Sequence, residues 1–157
     1  MSTSLTNQAQ NLAYYRNRQC NTQWRDFLSV LLEELDSNVG ANEVRAFFNA
    51  LGMKLAKRFP LNEHDTLEEF EANANQIWRE LDWGWCQFSA ETTQITVLHD
   101  GWPNPDEGSD SFWPLAFAAL LQGIYTAWLR AQGGDASLEV NVIPTLPGAP
   151  LELKYGG

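Results

Sequence analysis

A chain of 157 residues that is 44% apolar and 19% charged has the make-up of one folded domain with a full hydrophobic core, and excludes global disorder. Ten Lys and Arg stand against twenty Asp and Glu, giving a formal charge of −10. The basic residues are scattered rather than striped, which argues against nucleic acid and anionic lipid headgroups and leaves an uncharged ligand or a basic protein partner open.

Residues 1–22 read as a polar N-terminal arm, and residues 23–157 as a single domain without repeat or linker. The arm lacks the apolar stretch of a secretory signal, so a cytoplasmic protein is expected. It carries Tyr14, Tyr15, Arg16 and Arg18. These combine flat apolar faces with hydrogen-bond donors, a pairing that suits an uncharged ligand, though a tail without a ligand reads the same way. Cys20 and Cys86 lie far apart without metal-ligand spacing and read as reduced thiols, Cys86 within a strand. Seven tryptophans suit core anchors or oligomer contacts better than exposed sugar platforms.

Three helices come first. Trp24, Phe27, Leu28, Leu31, Leu32 and Leu35 share one helical stripe that stops at Asn38-Val39-Gly40. Val44, Phe47, Phe48, Leu51 and Leu55 form the next, closed by Pro60. Gly52 inside it costs about 1 kcal/mol against alanine, which marks either close backbone packing or mere tolerance. Thr66-Leu67-Glu68-Glu69 fits a capping box opening a third helix with Leu67, Phe70, Ala74, Ile77, Trp78 and Leu81 on one face.

At Asp82-Trp83-Gly84 the pattern turns extended, and Trp85 to Phe88 with Ile95 to Leu98 suggests an antiparallel hairpin. An acidic loop leads to Trp113-Pro114, where proline suits a helical first turn. From Leu115 to Leu129 the only polar side chains are Gln122, Tyr125 and Thr126. A helix apolar nearly all round must be covered on most sides, which makes burial against a second copy through Leu120, Ile124 and Trp128 an expectation. Its longest apolar run, Leu115 to Leu121, is too short to span a membrane. Leu138, Val140 and Val142, then Leu151, Leu153 and Tyr155, alternate with polar residues and give a second hairpin. The fold class is therefore α+β: amphipathic helices packed with a small, mostly antiparallel sheet, in the order helix, helix, helix, hairpin, helix, hairpin.

Nothing singles out a catalytic constellation. His64 and His99 lack the spacing and Cys partners of metal sites, the carboxylates fall at helix ends, and no phosphate loop, nucleophile elbow or dinucleotide fingerprint is present. Neither a metal site nor a cofactor is expected.

Several blocks together resemble one family. Glu34-Leu35-Asp36-Ser37-Asn38-Val39-Gly40, Leu51-Gly52-Met53-Lys54-Leu55 with Arg58, Thr66 to Glu71 with Asn75, Leu81-Asp82-Trp83-Gly84-Trp85, Ile95 to His99, and Gly123-Ile124-Tyr125 with Trp128-Leu129 follow in the order of the BcsD family, the D subunits of bacterial cellulose synthase. The resemblance spans about Trp24 to Gln132, and the order of the blocks carries it. It implies a non-catalytic homo-octamer, a ring of dimers, that works beside the inner-membrane cellulose synthase complex in export and ordering of β-1,4-glucan chains. It also implies a proline-rich partner linking such rings, and an N-terminal segment lining glucan passageways. A small-molecule sensor or carrier domain of the four-vinyl-reductase type is the competing reading; it would need a closed apolar pocket.

Overall fold

The structure is a computed structural model that describes residues 11, 22–103, 112–133, 138–144 and 149–156. Four helices, α1 (Thr22–Asn38), α2 (Ala41–Arg58), α3 (Leu67–Leu81) and α4 (Trp113–Ala131), accompany four strands, β1 (Trp85–Ala90), β2 (Gln94–Asp100), β3 (Val140–Ile143) and β4 (Leu151–Gly156). The order agrees with the sequence reading. The two hairpins join into one antiparallel sheet of order β1-β2-β4-β3, because β4 also pairs with β2.

Register explains the alternating sequence. Phe88, Val97, Leu153 and Val142 stand opposite one another across all four strands, so their side chains share the face covered by helices. Ser89, Thr96, Lys154 and Asn141 form the parallel row on the other face.

Local chemistry sets the helix ends. The Thr66 hydroxyl accepts from the Glu69 amide at 3.2 Å, which is the hydroxyl half of the expected capping box. Asp82 ends α3 in the left-handed region at φ 59°, where its amide and that of Trp83 return to the Arg79 and Trp78 carbonyls. Gly84 follows at φ 87°, with the Asp100 carbonyl where a side chain would begin, so only glycine fits this entry to β1.

The core forms where α4 is wrapped. Thirteen of its nineteen residues are buried, between α2 on one side and the sheet on the other. Its closest approach is to α2. A methyl carbon on Gly52 would strike the Leu120 carbonyl, and one on Gly123 would strike that of Asn49. The two glycines therefore let the helix backbones meet directly, which resolves Gly52 in favour of close packing.

Candidate assembly surface

At the centre of the domain lies a polar and aromatic cluster that could be mistaken for an active site. His99 is fully buried, with Nε2 2.7 Å from the Trp83 carbonyl and Nδ1 2.6 Å from the Tyr125 hydroxyl. A carbonyl only accepts, so Nε2 carries the ring proton and Nδ1 accepts from Tyr125. Burial pulls the His99 pKa down from 6.5 to about 4, against the opposing pull of the Trp83 carbonyl and Asp100. Burial likewise pushes the Cys86 thiol up to about 12 and the neighbouring Tyr125 hydroxyl well above its usual range. Trp78 packs edge-on to His99 at 4.9 Å and to Tyr125 at 5.8 Å, leaving no room for a substrate. A neutral imidazole, an inert thiol and a protonated phenol hold one another in place, and that role is structural.

Helix side chains cover part of each free sheet edge. Asn75 bonds both backbone groups of Cys86, accepting at 2.7 Å and donating at 3.0 Å, while the Glu71 carboxylate accepts from the Phe88 amide at 2.7 Å. On the opposite edge, Thr126 accepts from the Val140 amide at 3.0 Å and Gln122 donates to its carbonyl at 2.7 Å. The three polar residues between Leu115 and Leu129 of α4 thus each meet a specific buried group: Gln122 and Thr126 on β3, Tyr125 on His99. Strand pairing is disfavoured where these edge groups are already bonded.

There the surface is apolar. Leu28, Leu32 and Leu35 turn one side of α1 toward the core, and α2 is the only element that α1 packs against closely among the described residues. At about 100° per residue, the apolar arc of α1 runs some 200° from Leu32 through Trp24 and Phe27 to Val30. The domain covers about half of it. Trp24, Phe27 and Val30 are 56–58% exposed, Trp24 and Phe27 meet edge to face at 5.9 Å, and Phe47 on α2 is half exposed.

The residues singled out from sequence fall elsewhere. Tyr14, Tyr15, Arg16 and Arg18 lie outside the described residues. Leu120, Ile124 and Trp128 are at most 5% exposed within one chain. Gly52 brings α2 onto Leu120 and Ile124, and the Trp128 indole donates to the Phe59 carbonyl at 2.9 Å. Within one chain, Leu120 and Ile124 are covered by α2, and Trp128 packs against Trp78 of α3. Of the tryptophans, Trp78, Trp102, Trp113 and Trp128 are buried, whereas Trp24 and Trp85 are exposed. No group of three or more His, Cys, Asp or Glu among the described residues is arranged to hold a metal ion. No helix among them is long and apolar enough to cross a membrane. A cleft of about 570 Å³ between α4 and β3, lined by described residues, opens to the surface and is not the closed pocket that a carrier domain needs.

Comparison with known proteins decides the family. Residues 10–156 match the D subunit of cellulose synthase, a span that begins inside the stretch read as a polar arm and takes in both hairpins. The chain belongs to the cellulose synthase D-subunit family. No curated protein sequence matches it. Among solved structures, the fold is similar to that of a trafficking protein particle complex subunit 3 from Naegleria fowleri, solved covalently bound to palmitic acid. That likeness has a TM-score of 0.53 and 11% identity, covers 87% of this chain and 96% of the other, and concerns the fold alone.

For a member of the cellulose synthase D-subunit family, the place of the shared blocks in the fold is informative. Gly52 and Gly123 set the contact of α2 with α4, Glu71 and Asn75 cover part of the β1 edge, Gly84 turns the chain, and His99 and Tyr125 pin the centre. The shared blocks thus carry the architecture, and the family has a role in cellulose biosynthesis. Sequence reasoning missed the edge closure. Its trace was the spacing of Glu71 and Asn75, four apart and beside the Phe70 and Ala74 stripe, which places two polar side chains at the rim of the buried face.

Proposed function

We propose that the chain is a non-catalytic, self-assembling accessory protein of a bacterial cellulose-secretion system, stationed in the cytoplasm near the inner-membrane synthase. Rings of this protein hold synthase complexes at fixed spacing, so that their β-1,4-glucan products meet and align. The observation that carries the reading is the uncovered half of α1. Three large apolar side chains exposed on one helix make a surface that water covers poorly and a second copy covers well. The bonded sheet-edge groups and the family support a defined assembly, for which an octamer built as a ring of dimers is the form proposed. A proline-rich protein that links rings is the proposed partner, and the arm with Tyr14, Tyr15, Arg16 and Arg18 is the proposed guide for glucan.

Complementation tests both parts. In a strain lacking this protein, the double variant Trp24→Ser/Phe27→Ser should fold yet fail to restore ordered cellulose fibres. Deletion of residues 1–18 should leave a chain that assembles but does not restore cellulose yield. Full restoration by the first variant would remove α1 as the assembly surface. Full restoration by the second would remove the arm as the glucan guide.

A further inference from the structure

The free edge at β3 is covered at Val140 and open two residues later. Along an antiparallel ladder, residues that point both backbone groups at the neighbouring strand alternate with residues that point both away. The Val140 amide donates to Thr126 and its carbonyl accepts from Gln122, so Val140 faces away from β4. Asn141 then faces β4, and Val142 faces the free edge again. Carried across all four strands, the same alternation puts Cys86 and Phe88 on the opposite edge, where Asn75 and Glu71 do bond them. Val142 differs: no hydrogen bond reaches either of its edge-facing backbone groups from another described residue. Pro144, next in the alternation, has no N–H, so the open stretch of edge is a single residue long.

The cleft between α4 and β3, about 570 Å³, opens at this place. Residues 141–144 line it in succession, as an edge does, whereas a sheet face would present every second residue. Leu115, Ala118 and Ala119 of α4 and Leu151 of β4 make its wall apolar. Arg45 of α2 completes the lining; it is exposed, its guanidinium donates to the Asn42 side chain at 3.2 Å, and it is in no ion pair among the described residues. No acidic residue lines the cleft, although acids outnumber bases two to one along the chain. An open backbone donor and acceptor, an apolar wall and an unpaired cation therefore converge.

We infer that the cleft takes a short extended peptide, which adds a strand at Val142, sets an apolar side chain against Leu115 and Ala118, and gives a carboxylate to Arg45. Main-chain bonds hold a peptide added to a sheet edge, and side-chain pockets select it. The residue opposite Val142 must carry an N–H for the Val142 carbonyl, so proline is refused there. That requirement separates the site from the proline-rich partner proposed above, and none of its residues lies on α1. Two main-chain bonds, one apolar contact and one exposed ion pair make a weak, reversible complex.

The test selects displayed random heptapeptides on the full chain and measures synthetic copies of the selected sequences by fluorescence anisotropy. These should combine an Asp or Glu with apolar residues, and their binding should slow hydrogen exchange in residues 138–144. Arg45→Glu, which reverses an exposed charge, should weaken them about tenfold or more. Val142→Pro, which removes an N–H that does not pair with β4, should weaken them about fivefold. If Val142→Pro no longer unfolds cooperatively in urea, Arg45→Glu and the exchange measurement decide without it. No sequence enriched over an unrelated protein, enrichment of basic sequences, or binding indifferent to Arg45→Glu overturns the proposal. So does a folded Val142→Pro chain that binds as wild type. Arg45-dependent binding of decanoate with no peptide selected also overturns it, and makes the cleft a site for a small amphipathic carboxylate.

Discussion

Lowering the pH should unfold this domain through His99 in a way that one substitution removes. The buried imidazole has a pKa of about 4 against 6.5 when exposed, so between these values the unfolded chain binds a proton that the folded chain refuses. Stability from this group is complete above pH 6.5, falls as pH drops through the unfolded value, and stops falling below about pH 4. Linkage gives a loss of about 2 kcal/mol at pH 5 and about 3 kcal/mol at pH 4. For a domain whose total stability is of order 5–15 kcal/mol, that is a large fraction. His99→Gln retains an amide donor for the Trp83 carbonyl and cannot titrate in this range. Urea unfolding at fixed chain concentration, followed by tryptophan fluorescence, should then show the difference between wild type and variant shrinking by about 3 kcal/mol from pH 7 to pH 4. Carboxylates common to both chains cancel in that difference. A difference that stays flat across the range would refute the assignment of His99 as a buried neutral group.

Other substitutions test the frame around it. Gly52→Ala should destabilise the domain by about 2–3 kcal/mol in chemical denaturation, because the helices must part; a gain of about 1 kcal/mol, usual for this change in a helix, would contradict the close contact with Leu120. Asn75→Ala leaves both Cys86 backbone groups unpaired and should cost about 2 kcal/mol while speeding amide exchange at Cys86; unchanged exchange there would count against edge closure. With its thiol raised to about 12, Cys86 should resist alkylation at pH 8 in the folded chain and react in urea, as read by peptide mass, and ready labelling without denaturant would contradict its burial.

Much of this architecture was legible because it is written in local patterns. The apolar stripe of Leu67, Phe70, Ala74 and Trp78 fixed the face of α3, and Thr66 marked its start. Leu151, Leu153 and Tyr155 gave the inward face of β4 by alternation. What a sequence does not carry is which neighbour covers which face. The apolar circumference of α4 called for cover on most sides, and periodicity alone could not say that Gly52 lets α2 come close enough to supply it. The stripe of α1 from Trp24 to Leu35 marked one face, yet its uncovered part, Trp24 and Phe27 with Val30 beside them, became visible only once α2 was placed against the rest.

The central claim is that the exposed side of α1 is where copies of this chain meet. In a two-fold contact Trp24 and Phe27 each count twice, and recovering about 1 kcal/mol per half-exposed side chain makes their loss worth about 4 kcal/mol, or roughly three orders of magnitude in association. Sedimentation of the wild-type chain at micromolar concentration should show a discrete multimer, and the Trp24→Ser/Phe27→Ser chain should sediment as a monomer that still unfolds cooperatively in urea. A wild-type chain that is monomeric at high micromolar concentration, or a double variant that assembles as wild type does, would contradict the account.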